Sequence, residues 1–173
     1  MTANNATTDR ILRVDHAGEY GAARIYAGQL AVMGGRAEHS AEIAAMAAQE
    51  REHLERFEAL LAERRVRPTA LQPLWSVAGY VLGVATALAG PKTAMACTAA
   101  IEQEIDRHYT RQLAELGDSE PELTATIAEF RSDERSHRAA AVEAGAEQAP
   151  AYPLVAGAIR LGCRLAIRLA ERV

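Results

Sequence analysis

The chain contains Glu-x-x-His twice, at Glu50 to His53 and at Glu134 to His137, and each copy follows a lone glutamate at almost the same distance. Glu19 stands 31 positions before Glu50, and Glu102 stands 32 positions before Glu134. On a helix, residues three apart lie on one face, so each Glu-x-x-His directs a carboxylate and an imidazole toward the same point. At a rise of about 1.5 Å per residue, a gap of this length is a helix remainder, a short turn and part of a returning helix. Each lone glutamate is thereby set opposite its pair. The pattern predicts four helices that bring four carboxylates and two imidazoles to one place.

Two helices giving one Glu each and two giving Glu-x-x-His form the ligand set of ferritin-like two-metal carboxylate bundles. Four carboxylates supply hard oxygen donors and four negative charges, which offset most of the charge of two iron ions in a low-dielectric interior. Two neutral imidazoles complete the set without adding charge. Glu19, Glu50, His53, Glu102, Glu134 and His137 are therefore the expected ligands of a di-iron centre. Six ligand residues for two metals leave coordination positions open, and O₂ binds at open positions. A single Glu-x-x-His arises by chance on solvated helix faces; the second copy with its matching upstream glutamate sets this chain apart.

The remaining sequence fits an all-α bundle in one domain of 173 residues. Aromatics make up 5 % of it, and no stretch shows sustained period-2 alternation between hairpin turn signals. A first helix is expected from Asp9 to Met33, with Thr8 or Asp9 as N-cap and Gly34-Gly35 as the stop. A second runs from Ala37 to Arg65, and an apolar segment covers Pro68 to Gly90. Lys92 to Leu116 forms the next helix, broken at Gly117-Asp118. Ser119 as N-cap, with Pro121 and Glu122 in the first turn, restarts the chain to Gly145. A short linker through Pro153 leads to a last helix, Leu154 to Arg172.

Charge and composition narrow the partners. A net charge of −4 with no basic cluster near the ligand helices argues against nucleic acid. Met1 to Arg10 has neither an apolar h-region nor an Arg-rich amphipathic pattern, so a cytoplasmic face is expected. Cys97 and Cys163 lack Cys-x-x-Cys spacing and read as reduced packing residues.

Between the two halves, residues 68–91 carry no charge at all, and Leu74 to Gly90 includes Trp75 and Tyr80. Those 17 residues would span about 26 Å as a helix, short of a hydrocarbon core of about 30 Å. Crossing a bilayer would also strand Glu50 and His53 on one side and Glu102 on the other. An insert that docks in the membrane without crossing it avoids the conflict, and an ordinary buried helix is the alternative. At the carboxyl end, Arg160, Arg164, Arg168 and Arg172 recur every fourth residue beside Leu161, Leu165 and Leu169. This amphipathic helix suits an anionic membrane surface or an acidic partner, or is the solvated face of a helix capping the bundle.

Motifs on and beyond the ligands carry a family resemblance. Arg13-Val-Asp-His-Ala-Gly-Glu-Tyr-Gly-Ala-Ala-Arg-Ile-Tyr-Ala-Gly-Gln, Val66-Arg-Pro-Thr, Pro73-Leu-Trp, Ala94-Met-Ala-Cys-Thr and His108-Tyr109 resemble the demethoxyubiquinone hydroxylase family of ubiquinone biosynthesis, from Arg10 to Val173. The resemblance implies a di-iron monooxygenase that hydroxylates the ring of a prenylated demethoxyquinone with O₂ and two electrons. It places the family's ligands on the same six residues. Eukaryotic members carry a mitochondrial presequence, so the chain looks like a bacterial member, peripheral on the cytoplasmic side of the inner membrane. No Gly-x-Gly-x-x-Gly is present, which leaves an external reductase, or NADH acting through the quinone, as the expected electron donor; a ubiquinone-biosynthesis complex is a further partner that the resemblance implies.

Tyr26 and Tyr109 each follow a lone glutamate by seven residues and share its helix face. Either shuttles protons or electrons, or packs with its hydroxyl on a carboxylate; Tyr109 with His108 is the catalytic expectation. Asp106, one turn after Glu102, is a candidate acceptor for a ligand imidazole. Two rival functions use the same ligands: iron storage or peroxide reduction of the ferritin or rubrerythrin kind, and a non-enzymatic quinone- or lipid-binding membrane protein. Rubrerythrin would add a Cys-x-x-Cys iron site, absent here.

Overall fold

Helix-forming Ala, Leu, Glu and Arg dominate the chain, and Gly or Pro punctuates nearly every break. In the computed structural model, which describes the backbone of residues 3–172 and the side chains of residues 6–172, these segments form six α-helices. They are α1 (Ala3–Met33), α2 (Ser40–Arg64), α3 (Gln72–Leu88), α4 (Pro91–Leu116), α5 (Pro121–Glu143) and α6 (Tyr152–Ala170), with a 3₁₀ turn at Ala146–Gln148. No strand occurs among the described residues. Met1, Thr2 and Val173, which belong to the amino-terminal reading and the similarity span, lie outside them.

The elements match expectation, but several ends move. α1 starts at Ala3, so neither Thr8 nor Asp9 caps it; Thr8 is buried and donates to Glu120 Oε1 at 3.3 Å. α2 starts at Ser40, after His39 in the left-handed region (φ 64°). Ser119 is not the N-cap of α5: its hydroxyl donates back to the Leu116 carbonyl at 2.6 Å. Glu120 takes the cap position and makes no side-chain cap bond, because Arg64 holds its carboxylate at 2.9 Å. Pro121 opens the helix where its missing N–H costs nothing. Pro153 likewise lies in the first turn of α6 rather than in a linker.

α1 packs on α2 and α4 on α5, while α3 lies against α1 and α6 against α4. Each half of the chain is thus a helical hairpin with a third helix laid along its first. The apolar core splits into two main layers. One joins Tyr26, Met33, Ile43, Met46, Met95 and Ala141; the other joins Ile11, Leu12, Phe57, Leu60, Leu123, Ile127 and Phe130. Along α1, α2, α4 and α5 the ligand residues fall between these layers, so the bundle has a polar stratum sealed above and below. Each fully buried Leu, Ile or Phe stabilises that seal by about 1.5–3 kcal/mol.

α3 spans 17 residues, and among the described residues no helix is long and apolar enough to cross a membrane. It is pinned to α1 by backbone contact. A methyl added at Gly83 would collide with the Ile25 carbonyl, one at Gly28 with the Tyr80 carbonyl, and one at Gly79 would stand 2.9 Å from the Gly21 oxygen. Gly83→Ala should therefore push α3 off α1 and destabilise the fold by about 1–3 kcal/mol. Gly157→Ala in α6, with nothing near its added methyl, should be neutral or stabilise by up to about 1 kcal/mol. Urea unfolding of the two variants checks the contrast.

Candidate metal centre

α1, α2, α4 and α5 bring all six predicted ligands together, and all are buried. Donor atoms of Glu19, Glu50, His53 and Glu134 lie within 4.8 Å of one another, as do those of Glu50, Glu102, Glu134 and His137. Glu50 and Glu134 belong to both groups. His137 Nδ1 lies 3.1 Å from Glu50 and 3.4 Å from Glu134, while His53 Nδ1 lies 3.4 Å from Glu134 and 3.6 Å from Glu19.

Four of the six, the two outer glutamates and the two histidines, are held from outside, which fixes what they offer inward. Tyr26 donates to Glu102 Oε1 at 2.6 Å, and Tyr109 donates to Glu19 Oε1. His53 Nε2 donates to Asp133 Oδ2 at 3.1 Å, and His137 Nε2 to Gln49 Oε1 at 3.0 Å. Because both acceptors lack a proton to give, each imidazole carries a hydrogen on Nε2, which leaves Nδ1 as the nitrogen it can offer a metal once any second proton is shed. Glu19 Oε2, Glu102 Oε2, both oxygens of Glu50, both of Glu134, and the two Nδ1 atoms are buried without a hydrogen-bond partner. Left unpaired, each such group costs about 1–3 kcal/mol. The cluster is a set of donor atoms facing one another, and divalent cations in place of its protons would satisfy it. The free oxygens, one on each outer glutamate and two on each of the shared Glu50 and Glu134, are the ones that could hold metal.

The bonds cross between the halves. Tyr26, seven residues after Glu19, holds the glutamate of the other half, and Tyr109 returns the favour for Glu19. The residue preceding each paired glutamate, Gln49 or Asp133, likewise holds the histidine of the opposite pair. These two partners are absent from the sequence-based assignment, although both occupy the same place in the repeat. Asp106, assigned that role there, instead accepts from Arg131 and Arg135, each at 2.8 Å, on the outer face of α4. His108 is buried on α4, where its Nε2 meets the Gln112 amide at 2.7 Å; Gln112 also donates to Asp15 at 2.6 Å.

Electrostatics follow from burying four carboxyls. Burial, then the neighbouring glutamates, pushes Glu50 and Glu102 well above the usual carboxylate range, and burial raises Glu134. Burial opposes ionisation of Glu19 too, but the His53 imidazole and the Glu50 carboxyl beside it, with the Tyr109 hydroxyl, hold it low. Burial would lower His53; the Glu134 and Glu19 carboxylates override it and push it up to about 10. His137 is lowered by burial. Burial and adjacent carboxylates keep Tyr26 and Tyr109 protonated, so both remain donors.

Beside the centre, α1, α3, α4 and α6 enclose a cavity of about 440 Å³. Gly18, Ala22, Ile101 and Ile105, neighbours in sequence of Glu19 and Glu102, form its inner wall, and Trp75 and Leu82 its α3 side. Glu104 is the one charged residue in the lining, clamped by Arg107 at 2.8 Å and Arg164 at 3.2 Å. Arg160 donates to Gln103 at 3.1 Å, so two of the four arginines in the α6 stripe tie that helix to α4. Cys163 lines the cavity and Cys97 packs nearby; both thiols are free, and burial pushes that of Cys163 up to about 12.

Between pH 7 and pH 9 the unfolded chain has largely neutral histidines, whereas the folded, metal-free chain retains the proton on His53, which its carboxylate neighbours push up to about 10; the upward displacement of Glu50 and Glu102 acts in the same direction. Glu19 is ionised and His137 neutral in both states, so neither contributes there. The folded state binds more protons, and its stability falls as pH rises. Scanning calorimetry of metal-free protein should show the melting temperature dropping from pH 7 to pH 9. Divalent metal, which takes the place of those protons, should raise it and abolish or reverse the slope.

Residues 6–170 match the family model described as "Ubiquinone biosynthesis protein COQ7". The chain is 55 % identical over 168 residues to a 3-demethoxyubiquinol 3-hydroxylase of Rhodospirillum rubrum, covering 97 % of this chain and 79 % of that one. It is 48 % identical to the mitochondrial NADPH-dependent 3-demethoxyubiquinone 3-hydroxylase of Homo sapiens over 180 residues, covering 100 % and 82 %. A mitochondrial 5-demethoxyubiquinone hydroxylase of Saccharomyces cerevisiae is 40 % identical over 187 residues, covering 99 % and 80 %. With a family model spanning nearly all of it and relatives this similar along most of their length, the chain belongs to the COQ7 family of ubiquinone biosynthesis proteins.

Proposed function

We propose that this protein is a di-iron monooxygenase that hydroxylates the ring of a prenylated demethoxyquinone in ubiquinone biosynthesis. The observation that carries the reading is the set of unpartnered donor atoms next to an apolar cavity. Glu19, Glu50, His53, Glu102, Glu134 and His137 would hold two irons, which supply the chemistry of O₂ reduction. In balance, a ring C–H, O₂, two electrons and two protons become a ring C–OH and water. The electrons come from outside the chain, either from a reductase or through the quinol itself.

The chain's own groups do the rest. A cavity of about 440 Å³ lies within the range of small-molecule sites and takes a substituted ring with the first isoprene units. Its apolar walls exclude water from the reacting ring. Tyr109 and Tyr26 hold the outer glutamates in one orientation, and Tyr109 brings a proton to Glu19. Tyr109 acts here as a positioning residue. His108, held by Gln112, is placed to support the α4 wall around it. An iron store or peroxide scavenger with the same ligands has no use for the cavity.

Cells lacking the protein should accumulate the demethoxy intermediate, read by mass spectrometry of extracted quinones. Wild-type protein should restore the mature quinone and carry about two irons per chain by elemental analysis. Glu50→Ala should lose most of the metal and fail to restore it, while Tyr109→Phe should keep iron and slow product formation. Normal quinones in the deletion strain would sink the assignment.

We further propose that the cavity opens onto the membrane, with the protein peripheral on the cytoplasmic side of the inner membrane. Leu74, Val77, Val81 and Leu88 form one exposed stripe on α3, and Leu161, Leu165 and Leu169 form another on α6. Both stripes border the helices that enclose the cavity, and Arg168 lies beside the second. Val81→Asp should weaken flotation with anionic vesicles, since a carboxylate among acyl chains costs about 2.5–3.5 kcal/mol at the bilayer centre and less near the interface. Iron content should not change. Unaltered flotation would return α3 to simple packing.

A further inference from the structure

The two halves of the centre match at Glu19 with Glu102, Glu50 with Glu134, His53 with His137 and Tyr26 with Tyr109, and differ in what stands around each histidine. Where His53 finds the carboxylate of Asp133, His137 finds the amide oxygen of Gln49. We propose that this difference makes the halves unequal, the half built on His53 and Glu19 binding a divalent metal more tightly than the half built on His137 and Glu102. The inference rests on the metal reading of the site.

A hydrogen bond to a carboxylate is roughly twice as strong as one to a neutral acceptor. It draws the Nε2 proton outward, leaves more electron density on Nδ1 and makes the imidazole the better ligand. The Asp133 charge also adds to the field at its own half. Ring placement acts in the same sense: His53 stacks on Phe130 with centroids 3.9 Å apart and planes at 24°, so its Nδ1 is already aimed. Among the described residues, the one ring contact of His137 is the looser one to His53 at 6.5 Å. Neither Asp133 nor Gln49 would touch a metal; both are positioning residues that act through a histidine.

Titration of the metal-free full chain with Co(II), followed by its visible absorption and by calorimetry, reads the two halves without requiring turnover. Wild type should bind in two resolved steps. Asp133→Asn, which leaves an acceptor of the same shape without the charge, should weaken the tighter step about 10–100-fold and leave the second nearly unchanged. Gln49→Glu should instead tighten the weaker step, a gain that misfolding cannot produce. Two wild-type sites of equal affinity, or an Asp133→Asn variant that weakens both steps alike, would overturn the inequality and leave the metal reading standing. A wild-type chain that binds no Co(II) would overturn both.

Discussion

Four carboxylates buried within reach of one another cannot all be ionised unless cations lie among them, and the rest of the fold is arranged around that constraint. Glu50 and Glu134 have no outside partner at all, whereas Glu19 and Glu102 each spend one oxygen on a tyrosine. The metal-free protein answers by retaining protons and by charging His53. A metal-bound protein answers with divalent charge. Both solutions need a site closed to water, which is why the polar stratum lies between a layer containing Met46 and Met95 and another containing Phe57 and Ile127.

The third helix of each half turns this bundle into a site with an entrance. α3 is laid on α1 so closely that Gly28 and Gly83 leave no room for a methyl, and α6 is tied to α4 through Arg160 and Arg164. Between these covers and the ligand helices lies the apolar cavity, with Glu104 at its one charged point. Glu104 is neutralised by Arg107 and Arg164 at the cavity wall, so an otherwise oily channel contains no unpaired charge.

The convergence of the six predicted ligand residues was legible because i, i+3 spacing on a helix is a local property, and the repeat supplied its own control. What depends on packing between halves was not. Asp106 has the right chemistry one turn after Glu102, yet α4 turns it toward Arg131 and Arg135 of α5. Gln49 and Asp133 reach histidines about eighty positions away, a pairing that no local pattern encodes. Thr8 looked like an N-cap, but α1 continues through it because its hydroxyl is engaged by Glu120 across the bundle. The arginine stripe of α6 was open to two readings, and the contacts of Arg160 and Arg164 give part of it a structural task.

The cross-bonding between halves has the form of a two-fold relation: whatever the first half gives the second, the second gives back. Two copies of one hairpin, related by a two-fold axis, would make every one of these bonds as an isologous interface. Such a pair of identical subunits would have to place the same residue beside both histidines. Covalent fusion of the halves removes that requirement, so a single chain can keep the paired tyrosines and glutamates alike while changing one side to Asp133 and the other to Gln49.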